Sequence, residues 1–136
     1  MKTIGLLGGM SWKSSLEYYR IINETIQNKL GGWHSAKIIM YSVDFDEIDL
    51  EHQTKDWINS DKILVNAAKT LEKGGADFII ICANTAHIIY EEIQKNVKIP
   101  ILHVADATAD RIKARKIKKV GLLGTKSTMN GDFYKG

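Results

Sequence analysis

Cys82, Asn84, Thr85 and His87 fall within six positions of one another, in the stretch Ile81-Cys82-Ala83-Asn84-Thr85-Ala86-His87-Ile88-Ile89. A thiol that ionises is a nucleophile or a base, and an imidazole moves protons near neutral pH. Amide and hydroxyl side chains bind carboxylates and amines by hydrogen bonds. Brought to one edge of a fold, this set is an unusual polar payload for a ligand-binding point. The same residues also spell an ordinary helix start, with Asn84 or Thr85 as N-cap beside a buried structural cysteine. His103 is a second imidazole at a strand end, whereas His34 and His52 lie in polar stretches. At His87 or His103 a hydrogen-bonded structural role stands beside that of a general base.

The flanking residues decide where the set is carried. Asp77-Phe78-Ile79-Ile80-Ile81 follows Gly74-Gly75 as an unbroken apolar run, which reads as a strand covered on both faces. The apolar spacing then turns helical at Ile88, Ile89, Ile93 and Val97. A strand therefore hands over to a helix at Asn84-Thr85, at the carboxyl edge of a sheet, where open α/β folds bind ligands.

The rest of the chain repeats that alternation. Lys2 to Gly9 reads as a buried strand and a glycine turn, and Ser14-Ser15-Leu16-Glu17 offers a capping box for a helix with Leu16, Tyr19, Ile22, Ile26 and Leu30 on one face. Gly31-Gly32 stops it, and Ala36 to Tyr41 reads as a second strand. Asp46 to Asn59 is acidic and aperiodic, a functional loop by its length. Asn59 or Ser60 caps a helix with Ile63, Leu64, Ala67, Ala68 and Leu71 on its apolar face. Ile101 to Val104 and Lys119 to Thr125 read as a fourth and a fifth strand. This order predicts an α/β fold, a flavodoxin-like three-layer α/β/α lobe with a parallel sheet and right-handed crossovers. Ile4-Gly5-Leu6-Leu7-Gly8 recurs 116 positions later as Val120-Gly121-Leu122-Leu123-Gly124. Repeated supersecondary units are a duplication signature, so the expected division is a lobe over residues 1–105 and the first helix and strand of an incomplete second lobe over 106–136.

Composition narrows the function classes. With 136 residues, 44% of them hydrophobic, the chain is one ordinary domain in size. One cysteine excludes an intramolecular disulfide and a cysteine-cluster metal site, which suits a reducing, cytoplasmic setting. No secretory signal and no run of roughly 20 apolar residues is visible, so no membrane is expected. The net charge of +3 is mild. The six basic residues among positions 111–119 alternate with Ile112, Ala114 and Ile117 at a helix end, a solvated face and not a nucleic-acid patch. Gly5, Gly8 and Gly9 do not make a dinucleotide fingerprint, and Walker, H-E-x-x-H and G-x-S-x-G motifs are absent.

Taken together, Gly8-Gly9-Met10-Ser11-Trp12, Ala83-Asn84-Thr85-Ala86-His87, His103 to Thr108 and Gly124-Thr125-Lys126-Ser127-Thr128-Met129 resemble the aspartate/glutamate racemase family over essentially the whole chain. The resemblance implies an amino-acid racemase working without metal or pyridoxal cofactor, built of two similar α/β lobes with the substrate in the cleft between them. It implies thiol-based two-base proton transfer, one cysteine from each lobe serving one face of the α-carbon. The first of those cysteines directly precedes Asn-Thr, a place held here by Ala83, with Cys82 one residue earlier as the candidate catalytic thiol. In a strand a shift of one residue turns a side chain to the opposite face. The second cysteine belongs to a strand beyond Gly136.

Carried residue by residue, the resemblance places Met10, Ala83, Asn84, Thr85 and Thr128 around the amino and carboxylate groups of an acidic amino acid. His52 and Gln53 fall in the loop over its side-chain carboxylate, which lacks the arginine that aspartate-specific relatives often have. The expected partner is this small-molecule amino acid, with a non-catalytic carboxylate-binding module as the alternative. Apolar surface left open by an incomplete second lobe leads to the further expectation of a homo-oligomer.

Overall fold

The structure is a computed structural model that describes residues 1–48 and 57–134. Strands β1 (Thr3–Gly8), β2 (Lys37–Ser42), β3 (Phe78–Ile81) and β4 (Ile101–Leu102) form one parallel sheet in the order β2-β1-β3-β4. Ile4 sits opposite Ile38 on one side and Phe78 on the other, which fixes the register around the central strand. Between the strands run α1 (Trp12–Leu30), α2 (Trp57–Lys73) and, after a 3-10 turn at Thr85–Ile89, α3 (Tyr90–Asn96). α4 (Val104–Ala114), α5 (Lys126–Asn130) and a 3-10 turn at Asp132–Tyr134 follow β4. This is the α/β fold with a parallel sheet that the alternating patterns predict.

The topology determines which helix covers which face. The step from β1 to β2 runs one way across the sheet, and the step from β2 to β3 runs back over β1. With right-handed crossovers, α1 and α2 therefore lie on opposite faces, and α3 joins α2, with which it is in contact. The core fills the α2–α3 side. Leu64, Ala68 and Leu71 of α2 and Ile93 and Val97 of α3 pack with Leu7, Ile79, Ile81 and Ile101 of the sheet. Each large aliphatic side chain buried there stabilises the fold by roughly 1.5–3 kcal/mol. β4 has only two residues, and side chains complete its attachment. Glu72 Oε1 accepts the N–H groups of Lys98 and Ile99 at 2.6 and 3.1 Å, and the Gln94 amide spans Ile99 O and the Ile101 N–H at 3.1 and 2.9 Å.

Several local expectations are corrected. The N-cap of α1 is Ser11, whose hydroxyl accepts the Lys13 N–H at 3.2 Å; Ser14 and Ser15 lie inside the helix and turn their hydroxyls to neighbouring loops. The apolar stripe of α1 is largely open: only Ser15 is buried, and Leu16 and Leu30 are 54% and 53% exposed. Residues 45–48 are helical and α2 already begins at Trp57, ahead of the expected caps, so both ends of the stretch read as a polar loop are helical; the rest of it lies outside the described residues. The fourth strand stops at Leu102, since His103 instead caps α4. The fifth strand does not form. Residues 117–123 have no regular structure and Leu123 is 92% exposed. An apolar run becomes a strand only where a neighbour completes its backbone hydrogen bonds, and among the described residues no strand pairs with it. The basic residues of 111–119 are exposed at and beyond the end of α4. No helix among the described residues is long and apolar enough to cross a membrane.

Candidate active site

In the order β2-β1-β3-β4 the chain leaves β1 and β3 in opposite directions, so the carboxyl ends of these two strands border a crevice, the usual binding place of an open parallel sheet. Gly8-Gly9-Met10 continues β1 into it and Cys82-Ala83-Asn84 continues β3. Serines of α1 tie the two ends together. The Ser14 hydroxyl donates to Cys82 O at 2.7 Å, and Ser15 Oγ accepts the Gly9 N–H at 2.9 Å. The loop after β2 is held to the same place by the Val43 N–H, which donates to Gly8 O at 3.0 Å.

The crevice holds a cavity of about 550 Å³, a size suited to one small molecule. Met10, Ala83, Asn84 and Thr85 line its strand-end side, and Phe45, Ile48, Leu64, Ile88 and Ile89 form an apolar wall. Gly124, Thr125 and Thr128 close another side, with Ser14 and Asp61 also on the lining. Three hydroxyls run across the rim. Thr85 Oγ1 lies 3.5 Å from Thr125 Oγ1, which lies 3.0 Å from Thr128 Oγ1 and accepts the Thr128 N–H at 3.2 Å. Thr128 is only 2% exposed. Asn84 is exposed, and its side chain makes no capping bond to the turn that follows. The arrangement presents an amide and hydroxyls to a polar ligand beside an apolar wall.

Five of the residues singled out in the sequence therefore meet at the cavity: Met10, Ala83, Asn84, Thr85 and Thr128. His52 and Gln53 lie outside the described residues. Ser14, Thr125 and the wall from Phe45 and Ile48 were not singled out. Thr125 stands in the same short motif as Thr128, and its spacing of three in a helical turn was the available signal. Ser14 was hidden by its better-known use as a cap.

Cys82 is placed differently. Ile79 and Ile81 belong to the core side of the sheet, whereas Ile80 and Cys82 alternate with them. Cys82 is buried, its Sγ lies 3.8 Å from Ile80 O, and it does not line the cavity. Burial pushes its thiol up to about 12. Iodoacetamide at pH 8 is accordingly expected to alkylate Cys82 at least roughly a thousandfold more slowly in the native protein than in urea. Comparable rates in a mass-spectrometric time course would contradict this placement.

His87 is 1% exposed and bonded through both ring nitrogens. Nδ1 lies 2.9 Å from Ala83 O and 3.2 Å from Asn84 O, so it carries the proton and donates; Nε2 accepts the Val104 N–H at 3.5 Å. The His103 ring meets it edge-on at 4.5 Å, while His103 Nδ1 accepts the Ala105 N–H at 3.1 Å. Burial, and then His103, lower the proton affinity of His87 below its ordinary value of 6.5, against the opposing hydrogen bonds to Ala83 and Asn84. The folded state thus holds this proton less tightly than the unfolded chain does. The stability linked to the neutral ring is present above pH 6.5 and is lost as the pH falls below it. Urea midpoints are expected to drop between pH 7.5 and 5.5, by less in a His87→Asn variant; an equal drop in both would refute the assignment.

Comparison with known proteins gives the family and the fold. Residues 7–136 match the model of the Asp/Glu/hydantoin racemase family. The broad specificity amino-acid racemase RacX of Bacillus subtilis (strain 168) is 31% identical over 137 residues, covering 96% of this chain and 58% of that protein. A putative Asp/Glu racemase from Yersinia pestis superposes with a TM-score of 0.94 at 50% identity, over 98% of this chain and 58% of that one. An aspartate racemase homologue from Pyrococcus horikoshii OT3 gives a TM-score of 0.90 at 40% identity, with the same coverage. The chain thus spans about 58% of the length of these relatives.

Proposed function

The chain belongs to the Asp/Glu/hydantoin racemase family, and on that premise we propose that its cavity holds an amino acid for inversion at the α-carbon. The observation that carries this reading is the convergence of Asn84, Thr85, Thr125 and Thr128 beside Ala83 at the carboxyl ends of β1 and β3. Hydroxyl and amide groups there meet the α-carboxylate and α-amine, and the apolar wall takes the stem of the side chain. Aspartate or glutamate is the substrate we propose, from the sequence resemblance and the names of the relatives. The proton transfer follows the two-base scheme, in which a base within hydrogen-bond reach removes the α-proton and a second group returns one on the opposite face.

Ala83 takes no proton and Cys82 is turned away from the cavity with its thiol protonated, so we assign this lobe the task of binding and orienting. Each missing acid–base group forfeits typically 10²- to 10⁴-fold. With water acting as the base on the oriented amino acid, the 136-residue chain is therefore expected to bind L-glutamate or L-aspartate and to exchange its α-hydrogen for deuterium in D₂O above the buffer rate, yet well below ordinary enzymic rates. Binding with no exchange above buffer would favour an acidic amino-acid binding module instead. No binding of any amino acid would remove the racemase reading of the cavity.

A further inference from the structure

The His87 ring is bonded to backbone groups of two segments, and we infer that His87 is the positioning residue that clamps the amino-acid cradle to the start of α4. This rests on the reading of the cavity as an amino-acid site and adds to it the element that sets the cradle's shape. One ring nitrogen gathers two consecutive carbonyls, Ala83 O and Asn84 O, at 2.9 and 3.2 Å. These belong to the two residues that carry β3 into the cavity lining. The other nitrogen accepts the Val104 N–H at 3.5 Å, one of the first N–H groups of α4, which have no partner within the helix. A single neutral ring therefore bridges the end of β3 to the start of α4, 17 positions beyond His87 itself. Asn84 has a helical backbone and makes no side-chain capping bond, and the ring holds this turn from the opposite side, by donating to its carbonyls.

The bridge needs one tautomer. Nδ1 must carry the proton to donate, and Nε2 must be bare to accept. Protonating Nε2 turns its acceptor into a donor facing the Val104 N–H, which opens the clamp on the α4 side. Burial and the facing His103 ring oppose such a cation. The His103 ring faces His87 directly, and the Tyr90 ring lies against His103 at 4.8 Å. The groove outside them carries Asp61, Glu91, Glu92, Lys95, Asp106 and Asp132, while the hydrogen bonds that hold the ring go to backbone. With both nitrogens committed to backbone, His87 is not placed to serve as the general base.

The test uses His87→Asn and His87→Ala in the 136-residue chain, with folding verified by circular dichroism. A 1 Å misplacement of positioning groups costs up to about 10²-fold, so both variants are expected to bind L-glutamate about tenfold more weakly, with faster amide exchange at Asn84 and Val104. In the unmodified protein the affinity is expected to fall along the titration of the His87 ring, read by NMR, and this pH dependence is expected to vanish in His87→Asn. Folded variants with unchanged affinity, unchanged pH profile and unchanged Asn84 and Val104 exchange would overturn the clamp. Should His87→Ala not fold, His87→Asn and the titration of the unmodified protein still decide. Should the unmodified chain bind no amino acid, the functional reading has failed, and amide exchange alone then decides the clamp: faster exchange at Asn84 and Val104 in the variants supports it, unchanged exchange refutes it.

Discussion

A Gly9→Ala variant is expected to lose about 3 kcal/mol of stability or more, and amino-acid binding with it. Gly9 has φ +98°, a backbone conformation closed to most L residues, and a methyl group there would overlap the backbone of Val43. That contact cannot be relieved by a rotamer change, because the obstacle is main chain. The Val43 N–H is bonded to Gly8 O and the Gly9 N–H to Ser15 Oγ, so a shift would break the ties that hold the loop after β2 and the start of α1 against β1. Phe45 and Ile48 of the cavity wall lie in the short segment after Val43. Urea unfolding measures the loss, and a decrease below 1 kcal/mol would show that the loop yields where this packing says it cannot.

An Ala83→Cys variant is expected to exchange the α-hydrogen of L-glutamate about 10²-fold faster than the unmodified chain, whereas Cys82→Ser leaves that rate unchanged. The two positions are neighbours in sequence and differ in the face they serve. Ala83 lines the cavity next to Asn84, and Cys82 lies buried with its thiol pushed up to about 12. A thiol at 83 stands where the family resemblance places the first base, with polar groups near enough to favour its thiolate. The rates are read from loss of the α-proton signal in D₂O. Loss of the residual exchange in a folded Cys82→Ser variant, with no gain in Ala83→Cys, would make Cys82 the base and reverse the assignment.

How much of this was legible depended on whether the information was local. The strands around Ile4–Leu7 and Ile79–Ile81 and the stripe of α2 come from apolar periodicity, and periodicity follows directly from which face is buried. Asn84, Thr85 and Thr128 were readable because short motifs carried them. The cap of α1 has no local signature because Ser11, Ser14 and Ser15 are equivalent in composition; only the fold shows that Ser14 reaches Cys82 O and Ser15 reaches the Gly9 N–H. The fifth strand failed for a related reason. Val120-Gly121-Leu122-Leu123 has the composition of β1, but a strand is a property of a pair, and no pairing partner is written in the segment itself. Likewise the joining of Thr85 to Thr125 spans 40 residues and has no local signature.

The most direct test of the account is a backbone amide titration of the 136-residue chain with L-glutamate or L-aspartate. The account predicts that the largest shifts fall on Met10, Asn84, Thr85, Thr125 and Thr128, and that the exposed face of α1, around Leu16 and Tyr19, stays silent. Saturable shifts confined to other surfaces, or none up to high amino-acid concentration, would contradict the assignment of this cavity as the amino-acid site.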